Sequence, residues 1–345
     1  MMQICPLNEY YFMRNEIINN VFNVDNYNFE KLAIEVFNFQ YQENSIYRAY
    51  CDLLNIKVSE IQNIVDIPFL PIQFFKSHQV IVNNYNPEII FESSKTTGSI
   101  SSKHFVADTS LYENSFHKCI ELFYPEIKNY CILGLLPSYL ERSNSSLVYM
   151  VDKLIKNTNY QNSGFYLNEF QALANQIISN EKENIPTLLI GVSYALIDFA
   201  HQHPMQLNHT IIMETGGMKG RKEEIGKQEM HSILTTAFRI KHIHSEYGMT
   251  ELLSQAYSFK DGIFNCPPWM KILLRSEDDP LEVTLPSLTS ETSNIGGLNV
   301  IDLANINSCS FIATEDYCKL YIDGSFELLG RIKNSDIRGC GLMYL

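Results

Sequence analysis

The sequence predicts an α/β fold: a largely parallel sheet with crossover helices, preceded by a helical segment and followed by a β-rich part. Three observations carry this. Apolar runs at 130–136, 187–192, 210–213 and 240–244 each have the length of a buried strand. Helical patterns at 147–156, 167–179, 194–201 and 222–238 lie between them, and strands alternating with helices imply a parallel sheet. From about residue 255 the helical periodicity fades and Pro, Gly, Ser and Thr become frequent.

Taken in order, the first segment is helical because Phe29, Leu32, Ala33, Val36 and Phe37 recur with the three-then-four spacing of one helix face. Tyr47, Tyr50, Leu53 and Leu54 continue it, and the prolines at 68 and 71 break it. The run 79–83 reads as a strand. In parallel sheets ligands sit beyond the carboxyl ends of the strands, so the loops there are where chemistry is expected. Beyond 255, the runs 271–274, 297–301 and 319–322 suggest antiparallel strands. The organisation expected is an N-terminal helical segment over 1–80 packed on the main domain, an α/β part over 81–255, and a β-rich subdomain over 256–345 ending in a short tail.

Composition bounds the function. Of 345 residues, 45% are hydrophobic and 19% charged, which excludes global disorder. Acidic residues number 39 against 26 basic ones, a net charge of -13, which argues against nucleic acid and against anionic lipid as partners. No stretch approaches the ~18 apolar residues of a membrane helix, so no membrane insertion is expected. Met1 to Arg14 lacks the pattern of a signal peptide. Eight dispersed Cys without a CxxC pair read as buried thiols of a cytoplasmic, reduced protein.

Three segments could carry chemistry. Residues 93–99, Ser-Ser-Lys-Thr-Thr-Gly-Ser, offer hydroxyls and backbone N–H groups to an anion, although the same composition suits a polar surface loop. Ser245-Glu246-Tyr247-Gly248-Met249-Thr250-Glu251 follows an apolar strand. There Tyr could stack on a base, Thr could bind phosphate and Glu could hold Mg²⁺, while the plain reading is a strand-to-helix turn with Thr250 near the helix start. Asp316 could accept bonds from ribose hydroxyls, and Gly330-Arg331 could reach the same sugar or a phosphate; alternatively both are solvated surface groups.

The order of these segments resembles the adenylate-forming superfamily of acyl ligases. The phosphate loop has its counterpart in Ser93 to Gly98, the Tyr-Gly-x-Thr-Glu motif is met in full by Tyr247 to Glu251, and Asp316 and Gly330-Arg331 follow in order. Gly216-Gly217 resembles the segment against the adenine. Within the superfamily the chain is most similar to the LuxE-like acyl-protein synthetases, through Asp66-Ile67-Pro68-Phe69-Leu70-Pro71, through Glu214 to Gly220, and through the early C-terminus.

The resemblance implies the adenylate-forming large-domain fold with the small C-terminal lid domain absent, since 345 − 331 = 14 residues follow Arg331. It implies ATP and Mg²⁺ as cofactors, a fatty or other carboxylic acid as substrate, and a partner acyl reductase or acyl carrier. It assigns Ser94, Thr96, Thr97, Gly98, Gly216, Gly217, Tyr247, Gly248, Asp316 and Arg331 to the nucleotide, Glu251 to the metal, and Cys340, Glu251 and Thr250 to catalysis. Lys95 stands where the loop usually has Gly, where it either contacts a phosphate or perturbs the loop.

Two other readings stand beside this one. Gly191-Val192-Ser193-Tyr194-Ala195 resembles a nucleophile elbow, which would make Ser193 the nucleophile of a hydrolase or acyltransferase, with His231, His242 or His244 as base. A non-catalytic nucleotide- or acyl-binding homologue is the other, supported by Lys95 and the missing domain.

Overall fold

The computed structural model of the chain describes residues 6–94, 100–136, 144–216, 226–286 and 294–332, with side chains from residue 13 onward. Helices α1 (Pro6–Val21), α2 (Phe29–Glu43) and α3 (Ser45–Leu53) open the chain. The spacing seen in the sequence is the buried face of α2: Phe29, Leu32, Ala33, Val36 and Phe37 are all 5% exposed or less. Asn44 ends α2 and caps α3, its side chain accepting from the N–H groups of Ile46 and Tyr47, which leaves little room for a linker between them.

The short strand β1 (Leu70–Pro71) pairs in parallel with a strand near the far end of the chain, and α4 (Phe74–Ser77) follows. The run 79–83 is not a regular strand. Its backbone is held instead by single bonds to distant loops, Val82 N–H to the Asn307 carbonyl and Ser308 Oγ to the Val80 carbonyl. Strands β2 (Ile89–Glu92) and β3 (Lys103–Val106) pair antiparallel, with Glu92 opposite Lys103. Asp108 caps the next helix, α5 (Thr109–Phe123).

The parallel sheet comes next. In chain order its strands and helices are β4 (Cys131–Leu135), α6 (Ser146–Asn157), β5 (Gly164–Tyr166), α7 (Phe170–Glu183), β6 (Thr187–Gly191), α8 (Ser193–Gln202), β7 (Thr210–Glu214), α9 (Lys227–Phe238), β8 (His244–Tyr247) and β9 (Ala256–Ser258). Spatially they lie β5-β4-β6-β7-β8-β9, every neighbouring pair parallel except β8 with β9. Strands β4 and β6 are buried at all positions, which is why they read as continuous apolar runs. The run 240–244 is displaced: the strand begins at His244 and takes in Tyr247, so the first residue of the Tyr-Gly-x-Thr-Glu motif is strand, not loop.

The C-terminal sheet has the order β10-β15-β14-β13-β11-β12, built from β10 (Ile263–Phe264), β11 (Met270–Arg275), β12 (Val283–Thr284), β13 (Ile295–Asp302), β14 (Phe311–Leu320) and β15 (Phe326–Arg331). It is antiparallel except for β1 on β14. The run 319–322 is therefore only the end of β14, a ten-residue strand with Asp316 in its second half. No helix among the described residues is long and apolar enough to cross a membrane.

Candidate active site

The carboxyl ends of the parallel strands align in one row. The registers place Tyr166, Leu135, Gly191, Glu214 and Ser245 side by side across β5, β4, β6, β7 and β8. Residues emerging from this edge stand where parallel sheets of this kind take their ligands.

Tyr247 ends β8 with 6% exposure, and its hydroxyl donates to Asp316 Oδ2 at 2.8 Å. This bond joins the parallel sheet to the C-terminal sheet. The Tyr247 ring meets Phe264 and Phe326 edge-on, at 5.9 and 5.5 Å between centroids. Beside Asp316, Arg331 lies opposite in the β14–β15 ladder, its Nε 3.8 Å from Asp316 Oδ1 and its Nη1 3.9 Å from Glu315 Oε2. Gly330 has φ +138°, a conformation that favours glycine and brings the Arg331 backbone round at the sheet end.

After Tyr247 the chain turns directly into β9, so the helix expected after Thr250 does not form. The turn is held from beneath. His104 Nδ1 donates to the Thr250 carbonyl at 2.8 Å, and Asn305 Nδ2 donates to the Glu251 carbonyl at 2.8 Å. Burial pushes the His104 pKa down to about 4, so a neutral ring supports the loop at neutral pH. Asp302, wholly buried, accepts from the N–H groups of Leu253 and Ser254 and from Ser254 Oγ, fixing the descent into β9. Glu251 is 5% exposed in this turn.

A second centre forms at Glu214, the last residue of β7. Its carboxylate accepts from the Gly216 N–H at 2.8 Å, lies 3.1 Å from Lys227 Nζ and 3.9 Å from His231 Nε2, and is 3.4 Å from Ser193 Oγ. Burial alone would raise its pKa; His231, Lys227, Ser245 and the Gly216 N–H outweigh that and bring it to about 2. Gly216 has φ +67°, which lets its N–H turn back onto the carboxylate. Lys227 Nζ also lies 4.3 Å from the centre of the Phe264 ring, which links this centre to the aromatic wall around Tyr247.

Of the residues singled out from the sequence, Tyr247, Gly248, Thr250, Glu251, Asp316 and Arg331 come together here, and Gly216 lies on the same edge. Ser94 is half-buried just beyond the point where the Ser93 N–H and Oγ pair with the Ser102 backbone. That segment therefore spans two paired antiparallel strands. Lys95, Thr96, Thr97, Gly98, Gly217 and Cys340 lie outside the described residues. Ser193 is 2% exposed and its hydroxyl faces a carboxylate, not an imidazole, so the arrangement of a serine nucleophile and its base is not formed. Sequence reasoning did not single out His104, Asn305 or Asp302. Each acts on the motif from a distant segment, and only Asp302, ending an apolar run, leaves a local trace.

The fold defined by these two sheets is that of the adenylate-forming ligases. A 2-hydroxyisobutyryl-CoA ligase in an open conformation with 2-HIB-AMP and CoA matches with a TM-score of 0.63 at 11% identity, over 88% of this chain and 70% of that one. ATP-bound MatB from Rhodopseudomonas palustris matches with a TM-score of 0.50 at 15% identity, over 70% and 47%. An ATP-bound RpMatB-BxBclM chimera gives 0.52, 15%, 70% and 47%. This chain thus spans about half the length of the MatB proteins, and at these identities the likeness is one of fold. The sequence has no significant match among curated proteins. A family model described as "Acyl-protein synthetase, LuxE" matches residues 22–344, and the chain belongs to that family.

Proposed function

We propose that this protein activates a carboxylic acid with ATP and passes the acyl group to its own Cys340, from which a partner protein takes it. The observation that carries the reading is the Tyr247–Asp316 bond, which joins the Tyr-Gly-x-Thr-Glu turn to the Asp316/Arg331 pair at the carboxyl edge.

In the first half-reaction a carboxylate oxygen of the acid attacks the α-phosphorus of ATP. The bond to the bridging oxygen of pyrophosphate breaks, and pyrophosphate leaves. Asp316 accepts from the ribose hydroxyls and Arg331 donates to the same end of the nucleotide, while Thr250 and the hydroxyls of Ser94, Thr96 and Thr97 donate to phosphate oxygens. Glu251 would hold Mg²⁺, and a single buried carboxylate suits that ion, which takes one or two protein oxygens and completes its shell from phosphate and water. When bound, Mg²⁺ neutralises charge on the phosphates. His104 and Asn305 keep Thr250 and Glu251 in place, and catalysis is mainly positioning.

In the second half-reaction the Cys340 thiolate attacks the acyl carbon, the bond to the AMP oxygen breaks and AMP leaves. The cysteines among the described residues support this assignment by their unsuitability. Cys51, Cys119, Cys131, Cys309 and Cys318 are buried and Cys266 half-buried, and burial raises the pKa of each. Arg338, two residues before Cys340, favours its thiolate.

The test is ATP–pyrophosphate exchange over a panel of carboxylic acids, followed by mass spectrometry of the acylated protein. Exchange with an acid, and a hydroxylamine-sensitive acyl group on Cys340 that Cys340→Ser lacks, is the expected result. No exchange with any acid sinks the reading, and acylation of another cysteine removes Cys340 from it.

A further inference from the structure

A cleft of about 540 Å³ opens between α4 and strand β3. Its volume falls within the range of small-molecule sites. It lies on the far side of β3 from the Tyr-Gly-x-Thr-Glu turn. Side chains alternate along a strand. His104 and Val106 are buried, and His104 reaches the Thr250 carbonyl, whereas Lys103 and Phe105 line the cleft. Phe75, on the cleft wall, meets the His104 ring edge-on at 5.8 Å between centroids, so the cleft and the support of the turn stand back to back. Neither the turn nor Asp316 nor Arg331 lines it.

The lining has two parts. Phe75, 1% exposed, and Phe105 give apolar walls, and Ile100 is an apolar side chain left 71% exposed beside them. Lys76 and Lys103 bring two positive charges, and no carboxylate lines the cleft among the described residues. In a chain with 39 acidic residues against 26 basic ones, this is a local reversal of the overall balance.

Both lysines are loosely held. Lys76 Nζ stands 3.9 Å from Glu315 and Lys103 Nζ 3.6 Å from Glu92, with lysine side chains 34% and 51% exposed. Ion pairs as open as these contribute little, so an anion in the cleft draws the two ammonium groups to itself at small cost. A neutral hydrophobe would leave the charges unmet, and an inorganic ion would leave the apolar walls uncovered.

We propose that this cleft is a binding site for an amphipathic anion, with a carboxylate or phosphate head on Lys76 and Lys103 and an apolar body against Phe75, Phe105 and Ile100. It is separate from the nucleotide and metal residues, and it does not depend on the adenylation reading above.

The experiment is titration calorimetry of the full chain with octanoate, octyl phosphate, octanol, octylamine and inorganic phosphate, with and without saturating ATP. One of the two octyl anions should bind about 10-fold or more tighter than octanol, as for a hydrogen bond to a charged group, and octylamine and inorganic phosphate should bind weakest. Comparing octanoate with octyl phosphate identifies the head group. Lys76→Met with Lys103→Met should weaken the anion about 10-fold or more and leave octanol unchanged. Ile100→Glu, which puts a carboxylate at an exposed position of the lining, should weaken the anion too, and it reports even if the double variant fails to fold. Saturating ATP should leave the anion bound. Equal affinity for octanol and both anions overturns the site. Anion binding that survives the lysine changes and Ile100→Glu, or that ATP displaces, places the anion elsewhere and overturns it as well. None of these outcomes bears on whether the protein exchanges pyrophosphate.

Discussion

Glu214 and Glu246 lie at the carboxyl ends of neighbouring strands, the last residue of β7 and the last but one of β8, and are buried to similar extents, 3% and 8% exposed, yet their pKa values are driven to about 2 and about 8. The difference lies in their neighbours. Glu214 has Lys227, His231, Ser193 and the Gly216 N–H; Glu246 has an unpaired phenol, an unpaired amide oxygen and the repulsion of Glu214. One carboxylate is compensated by charges and hydrogen bonds within the protein; the other is not, and burial holds it towards the neutral form. Carboxyls of opposite shift at one sheet edge mark where a structure has been arranged for chemistry, not for stability.

The largest effect should come from breaking the compensation. Lys227→Met leaves a buried charge without its cation and should destabilise the fold by about 3 kcal/mol in urea unfolding, while Lys227→Met with Glu214→Gln should recover most of it. Failure of the double variant to recover would show that Lys227 acts through Phe264 instead. Next, Glu251→Gln should keep the fold and lose pyrophosphate exchange by about 10²-fold or more; unchanged kinetics would remove Glu251 from the site.

The two carboxyls should then separate with pH. Glu246 has a folded pKa raised above its ordinary 4.5, so its contribution to stability is fully present below about 4.5 and is lost as pH rises through about 8. Scanning calorimetry should therefore show Glu246→Gln gaining on the wild type between pH 5 and 8. Glu214 is depressed from 4.5, so its contribution is present above about 4.5 and disappears as pH falls through about 2; Glu214→Gln should lose its disadvantage only in that acid range. Smallest, Asp316→Ala should raise the apparent KM for ATP about 10-fold with little change in kcat, because a ribose contact is present in ground and transition states alike.

The parallel sheet was legible because strands buried on both faces read as unbroken apolar runs. Strand β8 was the exception. The apolar Ile240 and Ile243 lie in the approach to it, and the strand itself is His-Ser-Glu-Tyr, polar because it feeds the site. Strand β5, three residues long and containing glycine, carries too little pattern to be seen. Tyr247 to Glu251 was legible because its residues are contiguous. Asp316 and Arg331 were picked out by resemblance, and only the β14–β15 ladder shows why they act together. The supports under the turn, His104 and Asn305, are 201 residues apart and meet only once the chain has folded.

The docking of α1 and α2 has a consequence for how the chain is made. Arg14 bonds Asn307, Gln40 bonds the carbonyls of Asn305 and Ile306, and Asn44 bonds that of Ser308, across separations of 264 to 293 residues. On a ribosome these first helices emerge with an amide, a guanidinium and a row of aromatic rings whose partners are not yet translated. At ordinary elongation rates the wait is roughly fifteen seconds to a minute. The N-terminal helices therefore cannot complete their packing until nearly all the chain has been synthesised, and for that interval their apolar faces are substrates for a holding chaperone.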